Sequence, residues 1–136
     1  MNTAFSANIK AAGFKKYTYH DIVLGGTLND GVVKSNGHIN DTALKLQYDL
    51  SANVKEKYPT AVEANIQIDT IQLKKLNLYK DSLDIAGHIY IKAPNLDPEQ
   101  ADLYAAMDSM KINLRNKNYF FDSIITKANT VNGINT

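Results

Sequence analysis

Apolar and polar residues alternate along most of this chain. The clearest stretch is residues 43–54, ALKLQYDLSANV, in which every second side chain is apolar and those between are polar. An alternation of period two is typical of a β-strand that has one apolar face and one polar face. The pattern therefore predicts a strand here, and it raises the question of what the apolar face contacts.

The same alternation recurs on both sides of this stretch. It begins in residues 5–11, changes phase before Ile22, and is interrupted by turn signals at 29–31 (Asn-Asp-Gly) and 40–42 (Asn-Asp-Thr). We predict an all-β fold of eight to nine strands, arranged as a curved, mostly antiparallel amphipathic sheet. The sheet forms one domain, residues 1–136.

At most one short helix is expected, near residues 97–106. Asp97 suits the N-cap position, Pro98 the first helical position, and Glu99 the first turn, where a negative charge opposes the helix dipole. A loop in the same place is the alternative.

Residues 43–54 and 60–70 are predicted to form an antiparallel hairpin closed by a loop at 55–59. Keeping the apolar residues on one face requires paired residue numbers to add up to an even value, and a five-residue loop makes that value 114. The predicted pairs are Leu50 with Ala64, Tyr48 with Ile66, Leu46 with Ile68, and Lys45 with Asp69.

The apolar positions of the central strands are expected to line one continuous, concave surface. Such a groove, eight strands wide, is long enough to hold a lipid acyl chain. Its predicted members are Leu44, Leu46, Tyr48, Leu50, Val62, Ala64, Ile66, Ile68, Ile85, Ile89 and Ile91.

A weak internal repeat relates residues 69–83 to residues 108–124. Both segments begin with Asp, then Thr or Ser, then an apolar residue, and the second starts 39 residues after the first. One interpretation is that Asp-Thr and Asp-Ser simply suit turns and bulges, because their side chains bond to nearby backbone. The other is a stack of related β units.

Composition excludes several classes of protein. The chain has 136 residues, of which 44% are apolar and 21% charged, as in ordinary globular domains. Fifteen basic and fourteen acidic residues leave a net charge of +1, which argues against a nucleic-acid partner. Cysteine is absent, so disulfides and thiolate metal sites are ruled out.

Motifs that would indicate an enzyme are missing. The three histidines, His20, His38 and His88, do not stand at metal-binding spacings and are expected to be solvated. The chain contains neither a glycine-rich phosphate loop nor a Gly-x-Ser-x-Gly elbow. We predict no catalytic residue, no metal and no cofactor, although a pair of carboxylates brought together by the fold is beyond the reach of sequence patterns.

Residues 17–89 resemble a segment of the TamB family, within the wider AsmA-like group. The matching features are the aromatic-Asp-Ile-x-Leu-x-Gly motif at 19–26, the Asp-Gly turn at 30–31, Gly-x-Ile-x-Asp at 37–41, the hairpin around Lys-Tyr-Pro at 57–59, and IDTIQLKKLNLYKDSLDIAGHI at 68–89. The resemblance implies a taco-like β-sheet from a periplasmic protein anchored in the inner membrane. It also implies a non-enzymatic role in phospholipid transport, in outer-membrane protein assembly, or in both, with lipid acyl chains and an assembly partner as ligands.

Three rival interpretations remain open on the residues alone. A closed β-sandwich or lipocalin-like barrel would bind a small ligand in an enclosed pocket and pair its terminal strands. A purely structural β-domain would use the apolar face as a dry core, and a β-rich hydrolase would need clustered carboxylates. If the chain is a fragment of a longer repeat protein, its edges near residues 4–11 and 117–126 are expected to self-associate, and that contact would be an artefact of excision.

Overall fold

The chain forms a single antiparallel sheet in which each strand pairs with the next. The computed structural model describes residues 2–131 and 134–135, and the side chains of residues 2–129. The strands are β1 (Asn2–Phe14), β2 (Tyr17–Asn29), β3 (Val32–Asn40), β4 (Leu44–Asn53), β5 (Thr60–Gln72), β6 (Leu83–Asn95), β7 (Asp102–Leu114), β8 (Lys117–Val131) and β9 (Ile134–Asn135).

The all-β prediction is confirmed, with eight long strands and a two-residue ninth. The strand order runs from β1 to β9 without a crossover, so the terminal strands lie at opposite edges of the sheet. The sheet is therefore not closed into a barrel. The rival prediction of a lipocalin-like barrel with paired terminal strands is wrong.

Within residues 2–131, three hairpins turn within two residues. Lys15–Lys16, Asp30–Gly31 and Arg115–Asn116 all have positive φ angles, between 48° and 79°. Two successive positive φ angles are the signature of the type I′ turn, whose twist matches that of the flanking strands. The turn predicted at the Asp-Gly pair is confirmed.

The β4–β5 hairpin has the predicted register over three of its four predicted pairs. Leu50 lies opposite Ala64, Tyr48 opposite Ile66, and Leu46 opposite Ile68. The fourth pair is wrong, because Lys45 lies opposite Thr70. Asp69 is an extra residue in β5 at this point, a β-bulge that shifts every later pairing by one. The connecting loop spans residues 54–59.

The segment predicted as a possible helix forms a turn instead. The Asp97 carboxylate accepts a hydrogen bond from the N–H of Glu99 at 2.9 Å, and the Asp97 carbonyl accepts one from the N–H of Gln100, also at 2.9 Å. Extension of a helix toward residue 106 is wrong, since β7 begins at Asp102. Asp97 does accept the hydrogen bonds expected of a cap, but they stabilise the turn that reverses the chain between β6 and β7.

A line of strand irregularities crosses the sheet at one level, and we call it the crease. It consists of Asp21 (φ 57°), the bulged Asp69, Gly87 (φ 149°) and Ser109 (φ 52°). Each lies in or beside the row of residues that pairs Ile22, Ile39, Leu46 and Ile68. Because bulges bend strands and increase their twist, an aligned series of irregularities curves the sheet along one line.

The crease explains the internal repeat. Asp69-Thr70 and Asp108-Ser109 both fall at the irregularities, and Asp122-Ser123 lies opposite Asp108 and Ser109 in β8. The interpretation of these dipeptides as bulge residues is therefore confirmed for residues 69–70 and 108–109. They recur because the strands bend at the same level.

The loop between β5 and β6, residues 73–82, lies across one end of the sheet. The Asn77 amide donates to the carbonyl of Lys15 at 2.9 Å, in the β1–β2 turn. Further along the loop, Asp81 accepts two bonds from the Arg115 guanidinium, at 2.6 and 3.1 Å, in the β7–β8 turn. Next to Asn77, Leu76 is buried to 1% exposure. The loop thus ties together turns that are distant along the sheet.

The surface of the molecule is large for its mass. The accessible area is 9050 Å², whereas a compact monomer of 15.1 kDa exposes about 7,100 Å². Within the part of the chain whose side chains are described, the buried apolar residues are Ala43, Ile68, Leu76, Ala93 and Met110. No described element is a helix long and apolar enough to cross a membrane.

Candidate functional site: an apolar sheet face

One face of the sheet is apolar from β1 to β8, and we call it the apolar face. Residues directly opposite each other in an antiparallel pair lie on the same face, so the register defines its rows. The row through Tyr48 consists of Ala7, Leu24, Gly37, Tyr48, Ile66, Ile89, Met107 and Ile124. No charged residue interrupts it.

The eleven residues predicted to line the surface all lie on this face. The rows join Leu46 to Ile68, Leu50 to Ala64 and Ile91, and Leu44 to Ile71 and Ile85; Val62 continues the alternation beyond Ala64. All are half-buried except Ile68, which is 5% exposed. Partial burial is what lateral packing within one layer provides, because no second layer of described residues covers them.

The apolar face is wider than the predicted set. On one side it includes Ile9 and Ile22, which face each other across β1 and β2, and on the other side Met107 and Ile124. The same alternation marks these residues in the sequence, and extending the row outward from the central hairpin would have found them. The face therefore spans eight strands.

Tyr48 places a polar group within this face without leaving it unbonded. Its ring lies over Gly37, where a Cβ atom would come within 2.7 Å of Cε1. The hydroxyl is 3.1 Å from Oγ of Ser35, which donates to the carbonyl of Gly25 at 2.9 Å. Glycine at position 37 is thus required for the ring to lie flat on the sheet.

The opposite face is polar and carries a shallow depression. The depression, of about 720 Å³, is lined mainly by amide, imidazole and carboxylate side chains, among them Asn36, His38, Gln47, Asp49, Asn65, Gln67 and His88. The two faces of the sheet therefore differ sharply in character. This depression opens on the polar face and does not support concavity of the apolar face. Concavity of the apolar face stays a prediction.

Asp41 anchors the connection between β3 and β4 through a set of hydrogen bonds. Its carboxylate, 2% exposed, accepts bonds from the Tyr17 hydroxyl, from the N–H of His20 at 2.9 Å and from the N–H of Ala43 at 2.9 Å. Burial alone would raise the pKa of Asp41, but these donors stabilise the anion and lower the pKa to about 2. The bond to Asp41 in turn raises the pKa of Tyr17.

Two of the three histidines lie beside carboxylates. The His20 ring lies 3.1 Å from the Asp41 carboxylate, with the side chain 57% exposed, and the His88 ring lies 3.3 Å from Asp108. Among the described residues, no group of three or more His, Cys, Asp or Glu side chains could hold a metal ion.

The apolar face offers a ligand an extended area for apolar contact.

Comparisons of the chain with models of protein families, with curated proteins and with solved structures gave no match. Membership of the TamB family therefore stays a prediction that rests on the motifs quoted above.

Proposed function

We propose that this chain is a non-enzymatic segment of a TamB-like periplasmic scaffold and that its apolar face holds the acyl chains of phospholipids. The observation that carries the proposal is the uninterrupted apolar row from β1 to β8 in a sheet that is not closed. The scaffold would serve lipid transport between membranes, outer-membrane protein assembly, or both.

The area of the apolar face supports a ligand larger than one small molecule. Eight strands spaced by about 4.8 Å make it roughly 38 Å across. One acyl chain spans about half of a ~30 Å hydrocarbon core, so the face accommodates at least one chain lengthwise. Contiguous apolar surfaces of this size are rarely left bare on soluble proteins.

The exposed area argues against the purely structural alternative. A dry core would require a second layer over Leu46, Tyr48 and Ile66, yet these side chains are only half-buried. The molecule also exposes about 2,000 Å² more than a compact protein of its mass. An occupant supplied from outside the described residues accounts for both observations.

Lipid analysis of the purified protein tests this function. The protein would be exported to the periplasm of a Gram-negative host, purified without detergent, extracted with organic solvent and analysed by mass spectrometry. A closed-core β-protein prepared from the same host in the same way is the control. We expect phospholipid in about stoichiometric amount on this chain only. Folded protein that carries no lipid, and takes none from phospholipid vesicles, would overturn the proposal.

A further inference from the structure

The turns at one end of the sheet are strongly basic, and we call the surface they form the basic end. Every second turn of an antiparallel meander lies at the same end, which groups residues 15–16, 41–43, 73–82 and 115–116. These turns carry six basic residues against two aspartates, a net charge of +4. The charged residues are Lys15, Lys16, Lys74, Lys75, Lys80 and Arg115, with Asp41 and Asp81.

The opposite end of the sheet has the opposite charge. Its three described turns, residues 30–31, 54–59 and 96–101, carry two lysines against four carboxylates, a net charge of −2. A chain that is almost neutral as a whole is therefore polarised from one end of its strands to the other. Its net charge of +1 conceals this separation.

Two hydrogen bonds gather the basic turns onto one surface. The Asn77 amide donates to the carbonyl of Lys15 at 2.9 Å and holds the β5–β6 loop against the β1–β2 turn. At the other side of the loop, the N–H of Arg115 donates to the carbonyl of Ser82 at 3.0 Å. The pairs Lys15-Lys16 and Lys74-Lys75, which are far apart in the sequence, thus belong to the same surface.

Most of the positive charge of the basic end is exposed and unneutralised. Arg115 pairs with Asp81 at 2.6 Å, and Asp41 is buried among its own hydrogen-bond donors. The five lysines are exposed, and within the described residues none of them pairs with a carboxylate. Such a surface attracts an anionic partner.

Exposed apolar side chains lie beside these lysines. Phe14 is 57% exposed, Leu78 42% and Tyr79 41%, and the ammonium group of Lys15 lies 5.8 Å from the centre of the Phe14 ring. Basic side chains among exposed aromatic and aliphatic ones are typical of surfaces that lie in a membrane interface. A nucleic acid would use the lysines but would leave Leu78 without an apolar partner.

We infer that the basic end docks on the surface of a membrane that contains anionic phospholipid. The lysines contact the lipid phosphates, while Phe14, Leu78 and Tyr79 enter the interface between head groups and acyl chains. The surface is built from turns inside the chain, so it does not depend on what lies beside β1 or β8. It is also separate from the apolar face and does not require lipid to be bound there.

Co-sedimentation with phospholipid vesicles tests the docking. The protein is mixed with vesicles of phosphatidylcholine alone or of phosphatidylcholine and phosphatidylglycerol in equal amounts, and the bound fraction is measured at low and at high salt. We expect binding to the anionic vesicles to be roughly tenfold tighter or more, and to weaken as salt rises. Protein docked on a vesicle sediments, whereas protein that has extracted a lipid stays in the supernatant, so this inference and the proposed function can fail separately.

Matched double variants locate the docking surface. Lys74→Gln with Lys75→Gln, and Lys55→Gln with Lys57→Gln, each remove two exposed positive charges from a loop, at opposite ends of the sheet. The first pair should weaken binding to anionic vesicles by roughly tenfold or more, and the second by no more than about twofold. Leu78→Ala keeps every charge and should weaken the same binding several-fold.

Three results would overturn the inference. The first is equal loss of vesicle binding in the two double variants, and the second is equal binding of the natural protein to both kinds of vesicle. The third is an unchanged vesicle affinity of Leu78→Ala together with tight binding of a double-stranded oligonucleotide, which would identify a nucleic acid as the partner of the basic end.

Discussion

Leu46 and Ile68 face each other across β4 and β5 on the apolar face, and the pairing shifts by one residue immediately beyond them. Asp69 takes up the shift as an extra residue, so that Ile71 rather than Thr70 lies opposite Leu44. Without the bulge, strict alternation would place a polar side chain in the apolar face at this level. The crease therefore bends the sheet while keeping its apolar face continuous.

Substitutions at Ser109 test whether the crease requires its backbone conformation. With φ at 52°, Ser109 lies in a region that β-branched residues avoid and glycine accepts. We expect Ser109→Gly to stay within about 1 kcal/mol of the natural protein and Ser109→Val to cost about 1–3 kcal/mol. Ser123→Val, at an exposed position of β8, is the control. Urea unfolding measures all three, and equal stability of the Gly and Val variants would contradict the assignment.

Leu76 is expected to contribute more to stability than any other residue of the β5–β6 loop. It is 1% exposed, and the loop ties two distant turns together. Leu76→Ala should lower the free energy of unfolding by about 2–5 kcal/mol, as for other buried leucines. Leu78→Ala, at a position 42% exposed in the same loop, should cost under about 1 kcal/mol. Similar losses for the two variants would show that the loop does not pack on the sheet.

Asp41 makes stability depend on pH in the acidic range. Its pKa is about 2 in the folded protein, below the ordinary value of 3.8 for an aspartate. Since the folded pKa is the lower one, the stabilisation is fully present above about pH 4 and is lost as pH falls through about 2. It amounts to about 2 kcal/mol at pH 6 and about 1 kcal/mol at pH 2.5.

Asp41→Asn removes the charge while keeping the shape of the side chain. The difference in unfolding free energy between the natural protein and this variant should therefore shrink by about 1–2 kcal/mol between pH 6 and pH 2.5. Asp49→Asn, an exposed carboxylate of the polar face, is the control for loss of one negative charge. A difference for Asp41→Asn that stays constant with pH would contradict the role assigned to the hydrogen bonds around Asp41.

Much of the sheet could be predicted because the alternation of residues follows directly from strand geometry. The hairpin of β4 and β5 and the turn at Asp30–Gly31 were predictable, since each combines a clear period with turn residues of known preference. The turn at Lys15–Lys16 was not, because lysine has no preference for the positive φ angles that it adopts there.

The bulge at Asp69 and the turn after Asp97 illustrate what the sequence left undetermined. Asp-Thr suits a bulge, but only pairing with β4 and β6 decides that the extra residue lies at position 69. Asp97-Pro98-Glu99 suits a helix start equally well as a turn, and the docking of β7 against β6 decides between them. The eleven apolar residues share one face because the apolar positions stay on that face on both sides of the bulge.

Aspartate substitutions on the two faces of β4 test the central claim most directly. Leu46→Asp places a charge on the apolar face, and Gln47→Asp places the same charge on the polar face one residue away. In an open face the Leu46→Asp charge stays partly hydrated, so its melting temperature should fall by only a few degrees while co-purified phospholipid falls at least tenfold. Gln47→Asp should change neither. Unfolding of Leu46→Asp, together with a natural protein that carries no lipid, would contradict the account and show that the apolar face is a dry core.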